Sequence, residues 1–368
     1  LVINLIYFLI YKNKNDATST KLITAIEDKG LIKDDLIQTQ ITPLPINSTQ
    51  EVIETTPTPG KNKNIRKSAW IPSFDSANGL SSFIKNKKEL STIHYASGTI
   101  NAGGQPIFVA NTDQTFASIQ KEDIPFGVNI IFSDYNGTNL FLNNQSFQTT
   151  LQNKIIDFKK YKNFKSINLN IEKVKIENKA DLEEYLRTVR EFTKLQNLEL
   201  YITIFPKTES SKNNTSTEQA LDYKILNEVG DKVILMAYDY KTVKSGEAKY
   251  DFANSPNGWM EDIIRYAKKD IEGQKLIIGL PLYGYGFNKN TKSITKSYTY
   301  SQIESIIKSE KLTPQLDMSI GEMRLERANE IIIYQSKESL DIKHYIIQNL
   351  GVNEVFYWRL GGEGSLDY

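Results

Sequence analysis

From residue 68 onward, short apolar runs alternate with longer segments of helical period, and this constrains the fold more than any other feature. Strands are predicted at 68–74, 92–97, 127–133, 164–174, 198–205, 232–238, 275–280 and 354–358. Helices are predicted at 79–88, 146–160, 180–195, 218–229 and 259–269. The helix at 180–195 offers an apolar face of Leu182, Tyr185, Leu186, Val189 and Phe192. Eight strands separated mostly by helices favour an α/β fold of the (β/α)8 TIM-barrel type. A doubly wound sheet usually has fewer strands. Between strands 7 and 8 the spacing predicts a small α+β insertion, with helices near 301–309 and 339–349 and a strand near 330–334. The barrel is assigned to residues 68–368.

Two segments of different character precede it. Residues 1–11 (LVINLIYFLIY) are an apolar run followed by Lys12 and Lys14. Eleven residues are too few to span a bilayer, which needs about 20. The run has the length of a signal-peptide hydrophobic region or of the remaining end of an N-terminal membrane anchor; a stray hydrophobic strand would read the same way. The chain opens on Leu1 rather than Met, so a beginning upstream is expected. Residues 12–67 show no sustained periodicity and carry Pro43, Pro45, Pro57 and Pro59 among many Thr, Lys and Asn residues. Such a composition buries too little apolar surface to offset its ordering entropy, and reads as a disordered, flexible linker with one short helix near 17–29. The expectation is an extracellular or cell-surface protein, tethered if the first segment is an anchor. The chain ends soon after its eighth strand, so either the eighth helix is dispensed with or more protein follows.

Composition narrows the chemistry. Lys and Arg (45) balance Asp and Glu (44), so no basic field points to nucleic acid. There is no Cys, and His94 and His344 are the only histidines. Disulfides, thiolate nucleophiles and Cys-ligated zinc are excluded, and a His-rich metal site is not expected. Acid–base chemistry therefore falls to carboxylates. The 20 Tyr, 16 Phe and 3 Trp suit a carbohydrate cleft and are equally ordinary for a core. Gly103-Gly104 and Gly284-Tyr285-Gly286 open no helix, which argues against phosphate binding.

The strand at 164–174 places Ile167, Leu169 and Ile171 on one face and Asn168, Asn170 and Glu172 on the other. A half-exposed surface strand gives the same alternation, whereas a buried polar face must meet partners or a substrate. In a (β/α)8 barrel reactive groups sit at the C-terminal ends of strands. Glu172, Asp239 and Trp358 all fall at strand ends, which favours the functional reading. Met236 and Tyr238 share one face of their strand and could equally be core.

Four motifs in order carry a resemblance. Lys165-Ser166-Ile167-Asn168-Leu169-Asn170-Ile171-Glu172 overlays the pattern Asp-Gly-x-Asp-x-Asp-x-Glu, and Met236-Ala237-Tyr238-Asp239 matches Met-x-Tyr-Asp. Gly279 to Gly284 matches Gly-x-Pro-x-Tyr-Gly, and Trp358 matches a last-strand Trp. From Ala69 to Glu363 the chain resembles glycoside hydrolase family 18, most closely its bacterial spore-germination and cell-wall branch. The resemblance implies substrate-assisted, retaining hydrolysis without metal or cofactor. It implies Glu172 as general acid and base, Tyr238 on the carbonyl of the substrate's 2-acetamido group and Asp239 positioning the sugar. Trp358 would floor the cleaved-sugar subsite; Tyr283, Met236 and Asn168 would line the cleft. The implied substrate is a β-1,4-linked polymer containing N-acetylglucosamine, peptidoglycan ahead of chitin, acted on by a monomer.

The sequence departs from the family where it matters most. Asn170 stands two before the Glu, where most active members carry Asp, and Asn168, Lys165 and Ser166 also differ. The usual third-strand Gly-rich motif is missing from 130–133. Asn170 can hydrogen-bond an acetamide but brings no charge to a developing oxazolinium. Losing such electrostatic stabilisation can cost about 3–4 kcal/mol, two to three powers of ten in rate. The alternative reading is a catalytically inactive, lectin-like barrel; another barrel enzyme or a structural partner remains as a third.

Overall fold

The computed structural model describes residues 65–211, 214–240 and 250–368. The chain divides into two units, Leu1–Asn64 and Ile65–Tyr368, and only the second falls within the described residues. The apolar run at 1–11 and the linker up to residue 64 therefore lie outside them. No helix among the described residues is long and apolar enough to cross a membrane.

The predicted barrel is present. Its eight parallel strands are β1 (Arg66–Pro72), β2 (Thr92–Ile100), β4 (Phe126–Phe132), β5 (Phe164–Ile171), β6 (Glu199–Ile204), β7 (Lys232–Met236), β8 (Leu276–Pro281) and β14 (Glu354–Trp358). Pairing of β1 with both β14 and β2 closes the ring. A short antiparallel strand, β3 (Pro106–Phe108), extends the β2 edge. The strand β1 starts at Arg66, two residues inside the segment read as linker.

Each strand splits its side chains between two cores. On β5, Ile167, Leu169 and Ile171 point outward into the apolar layer shared with the helices. There α4 (Gln145–Phe158) contributes Leu151, Ile155 and Phe158, and α5 (Lys179–Gln196) contributes Leu182, Tyr185, Leu186 and Val189. The three-and-four spacing of these residues gives each helix one buried stripe. Asn197, in the left-handed conformation at φ 56°, ends α5 and turns the chain into β6. The inner face of the barrel holds a second apolar cluster of Trp70, Tyr201, Ile234, Ile277 and Phe356, with Trp358 against it.

The polar face of β5 thus lines the barrel interior, which removes the surface-strand alternative. Each buried polar group there needs a partner. Thr203 Oγ1 donates to Asn168 Oδ1 at 2.9 Å, and Ser166 Oγ lies 2.9 Å from His94 Nε2. His94 is wedged against Tyr201 and Phe356, with ring centroids 4.7 and 5.0 Å away. Burial pushes its pKa down to about 3, so the imidazole is neutral and structural.

Beyond β8 the chain forms an insertion larger than the sequence suggested. Five antiparallel strands, β9 (Tyr283–Asn288), β10 (Ile294–Thr299), β11 (Gln315–Asp317), β12 (Glu322–Glu326) and β13 (Glu330–Tyr334), run in the order β10-β9-β13-β12-β11. A helix, α9 (Tyr300–Glu310), buries Ile303 against Tyr298, Leu325, Ile332 and Tyr334 of this sheet. The helix near 339–349, read as part of the insertion, is α10 (Lys337–Asn349). It packs on α8 (Asn257–Ala267) and belongs to the barrel's outer layer. The helix predicted at 218–229 is two, α6 (Ser216–Ala220) and α7 (Tyr223–Val229), because Asp222 accepts from Lys224 N and starts a new one. Unpredicted short helices complete the ring at α2 (Thr112–Ile119) and α3 (Tyr135–Leu142), and α1 (Ser76–Asn86) follows β1.

Close packing between β4 and β5 depends on Gly127, where an added Cβ would overlap Ser166 Oγ and Ser166 O. Replacing Gly127 with Ala is expected to lower stability by about 1–3 kcal/mol through overpacking. Urea unfolding checks this; an unchanged midpoint and slope would show that the interior can yield.

Candidate active site

The C-terminal ends of β5, β7, β8 and β14 bring the sequence-predicted residues to one mouth. Glu172 follows β5 directly, and its N–H donates to Phe132 O at 3.1 Å, as does that of Lys173 at 2.9 Å. These two bonds clamp the exit of β5 to the end of β4. Asn170, on the same face two residues earlier, is 7% exposed. Its Nδ2 donates to Glu172 Oε1 at 2.8 Å, while its Oδ1 has no partner among the described residues.

Asp239 sits past the end of β7 with φ 59°. A left-handed aspartate is uncommon and must be held. Its N–H donates to Asn254 Oδ1 at 2.8 Å, and Tyr240 N donates to Asn254 O at 2.9 Å. Its carboxylate accepts from two tyrosines of β9: Tyr283 Oη, in a very short contact, and Tyr285 Oη at 2.7 Å, both to Oδ1. Tyr283 and Tyr285 are two apart on a strand, so both point the same way. The Tyr283 ring meets Tyr238 edge-on at 6.4 Å and Tyr285 at 5.4 Å. Tyr285 was missed in the sequence because it sat in a stretch read only for phosphate loops. The alternation Tyr283, Tyr285, Phe287 was the available signal.

Trp358 closes the other side, half-buried, with its ring edge-on to Trp70 at 5.8 Å. The backbone on either side is pinned: Leu282 N donates to Trp358 O at 2.7 Å, and Leu360 N donates to Trp70 O at 3.0 Å. Beyond it, the Glu363 carboxylate accepts from the N–H groups of Gly361 and Gly362 at 2.7 and 3.1 Å, and from Ser82 Oγ. Arg359 pairs with Asp75 at 2.6 Å. Met236, the last residue of β7, and Asn168 are both buried, Asn168 completely.

Burial raises both carboxyl groups, against different opposing partners. Burial raises the Glu172 pKa; the Asn170 amide opposes this, the Asp239 charge adds to it and Lys173 opposes it. Burial also raises Asp239, but the hydroxyls of Tyr283 and Tyr285 both stabilise its ionised form. Burial, then the charges of Asp239 and Glu172, pushes the Tyr238 phenol well above its ordinary value, so it stays a hydrogen-bond donor. The arrangement supplies a proton donor at Glu172, a hydroxyl donor at Tyr238, a tethered carboxylate at Asp239 and an aromatic face at Trp358. Among the described residues no group of His, Asp and Glu is placed to hold a metal.

A closed eightfold barrel with carboxyl groups and aromatic rings at this mouth is of the glycosidase-barrel class. The profile of the family described as Glycosyl hydrolases family 18 matches residues 68–363, and the chain belongs to that family. It is 24% identical over 241 residues to a cortical fragment-lytic enzyme of Bacillus subtilis (strain 168), covering 63% of this chain and 54% of that protein. It is likewise 24% identical to the cortical fragment-lytic enzyme of Bacillus anthracis, covering 58% of this chain and 51% of that one. The chain thus spans about half the length of these curated relatives. In fold it is similar to the crystal structure of the spore cortex-lytic enzyme SleL of Bacillus megaterium QM B1551. That likeness has a TM-score of 0.70 at 22% identity, over 85% of this chain and 73% of the other. A chitinase of Chromobacterium violaceum ATCC 12472 superposes with a TM-score of 0.69 at 16% identity, over 81% of this chain and 95% of the other.

The Asn170 amide opposes the rise that burial imposes on Glu172. Replacing it with Asp removes a donor that favours the ionised form and adds a carboxyl that disfavours a second charge; both changes have the same sign. The upper titration of the Asn170→Asp pair is expected at higher pH than the Glu172 titration of the natural chain. Carbon-detected NMR of the labelled carboxyl groups measures it directly. An unshifted or lowered titration would show that Asn170 does not govern Glu172.

Proposed function

We propose that the protein is a retaining, substrate-assisted glycosidase that cleaves β-1,4 bonds in polymers containing N-acetylglucosamine, peptidoglycan in preference to chitin. The observation that carries this reading is Glu172: a carboxyl raised by burial at the exit of β5, facing a mouth lined by Tyr238, Asp239 and Trp358. In the proposed first step Glu172 gives its proton to the glycosidic oxygen as the bond from C1 breaks. The carbonyl oxygen of the substrate's own 2-acetamido group bonds to C1, giving an oxazolinium. In the second step the Glu172 carboxylate takes a proton from water, whose oxygen adds to C1 and reopens the ring with net retention.

Under this reading Tyr238 donates to the acetamide carbonyl and the sugar ring stacks on Trp358. Asn170 Oδ1, free of any partner among the described residues, is the acceptor for the acetamide N–H. Asp239 supplies the negative charge that Asn170 lacks, since its carboxylate raises the Glu172 pKa through space. The preference for peptidoglycan draws on the cortical fragment-lytic enzymes of Bacillus, the chitin alternative on the chitinase-like folds. Action outside the cell or at its surface is part of the proposal, supported by the sequence character of residues 1–11 and 12–67.

One observation favours a second reading, a sugar-binding barrel without turnover. The Asn170 amide stabilises ionised Glu172, the form that cannot act as acid. Release of reducing ends from peptidoglycan and from N-acetyl-chitooligosaccharides separates the two. The natural chain is expected to release them, and Glu172→Gln to lose about 10²–10⁴-fold in rate while still binding the oligosaccharide. An inert natural chain that binds the sugars would make the lectin reading correct.

A further inference from the structure

Outside the mouth, two fully buried charged side chains lie at the seam between barrel and insertion. Glu322, the first residue of β12, is fully buried, as is Lys343 of α10. Glu322 Oε2 accepts from the N–H groups of Asn254 and Ser255 at 2.9 and 3.0 Å. Its Oε1 accepts from Gln335 Nε2 at 2.6 Å, and Gln335 Oε1 accepts in turn from Ser339 Oγ at 2.9 Å. Lys343 Nζ donates to Asn257 Oδ1 at 2.8 Å and to Ser255 O. Asn257 N–H donates to Ile320 O at 2.9 Å, and a Cβ on Gly321 would overlap the Asn257 amide. Burial raises the Glu322 carboxyl and lowers the Lys343 ammonium, and each charge opposes the other's shift.

A network of buried charges such as this one is weak evidence for stability, since apolar groups of the same volume are often as stable or more so. What it does geometrically is fix the backbone of residues 254–257. Asn254 is completely buried, and its other end is the acceptor for the Asp239 N–H at 2.8 Å. Asp239 needs that acceptor, because its left-handed backbone is unfavourable for an L-residue. The insertion therefore grips Asp239 twice: at its carboxylate through Tyr283 and Tyr285 of β9, and at its backbone through Glu322 and Asn254.

We propose that Glu322 is a positioning residue for the reaction, acting through Asn254 to hold Asp239 at the barrel mouth. The proposal rests on the glycosidase reading above for its kinetic consequence, though not for its structural one. It makes the insertion a working part of the site rather than an appendage, with a carboxylate that never meets the sugar controlling one that does. Glu322→Gln keeps one oxygen for the two backbone N–H groups, and its new amide can donate to a turned Gln335. Glu322→Ala keeps neither.

The test compares both variants with the natural chain, below their unfolding temperatures, by kcat, by KM and by the crystal structure of each variant. Glu322→Ala is expected to lose roughly ten- to hundredfold in kcat with KM changed less than about threefold, the scale of a misplaced group. Glu322→Gln is expected to keep most of the rate, and Asn254→Ala to reproduce the loss if the Glu322→Ala chain does not fold. In the crystals of Glu322→Ala or Asn254→Ala, Asp239 is expected to leave Tyr283 and Tyr285. A folded Glu322→Ala chain with natural kcat and an unmoved Asp239 overturns the proposal. If the natural chain cleaves neither polymer, the glycosidase reading fails, and the position of Asp239 in the variant crystals still decides the role of Glu322.

Discussion

Taking a carboxyl out of water penalises its charged form, and the mouth of this barrel is arranged around that penalty at Glu172. Burial raises its pKa, and the groups that could lower it are few: one neutral amide from Asn170 and one exposed lysine, Lys173. Asp239 is also desolvated but receives two tyrosine hydroxyls, which favour its charge. Both carboxyl groups of the cleft are raised by burial, and they differ in what opposes the rise: an amide and a lysine at Glu172, two tyrosine hydroxyls at Asp239. Below them the barrel interior holds a neutral histidine, His94, and the buried asparagines Asn168 and Asn170.

The rim is built by both parts of the fold. Barrel strands deliver Glu172, Tyr238 and Trp358 at their C-terminal ends, where neighbouring strands hold them by backbone hydrogen bonds. The insertion delivers Tyr283 and Tyr285 on β9 and reaches the Asp239 backbone from Glu322 on β12. The Asn at position 170 is thus set among compensations. It donates a hydrogen bond to Glu172, and in the proposed mechanism the nearby Asp239 provides the negative charge that an Asp at 170 would otherwise contribute.

Much of this was legible in the sequence because strand periodicity survives burial. The two faces of β5 could be read from Ile167, Leu169 and Ile171 against Asn168, Asn170 and Glu172, and closure of the barrel explained why the polar face tolerates the interior. The barrel strands were found from short apolar runs, as in β7 and β14, or from period-two alternation, as in β5. Of the insertion, the helix near 301–309 and the strand near 330–334 were legible, but β9, β10 and β11 were not, since β9 reads Tyr-Gly-Tyr-Gly-Phe-Asn and β10 and β11 are short and polar, with exposed residues that carry no burial signal. Asn254 and Glu322 were invisible for another reason: an isolated Asn or Glu looks like surface until the fold shows that it is buried and what it holds.

The central claim is that the nucleophile comes from the substrate, with Glu172 as proton donor and no protein carboxylate attacking C1. The most direct measurement is kcat/KM for a series of substrates whose 2-acetamido group carries zero, one, two and three fluorines. Participation of the acetamide predicts a rate that falls steeply with each fluorine, as the carbonyl oxygen becomes less nucleophilic. A rate indifferent to fluorination would contradict the account and place the nucleophile on the protein or on water.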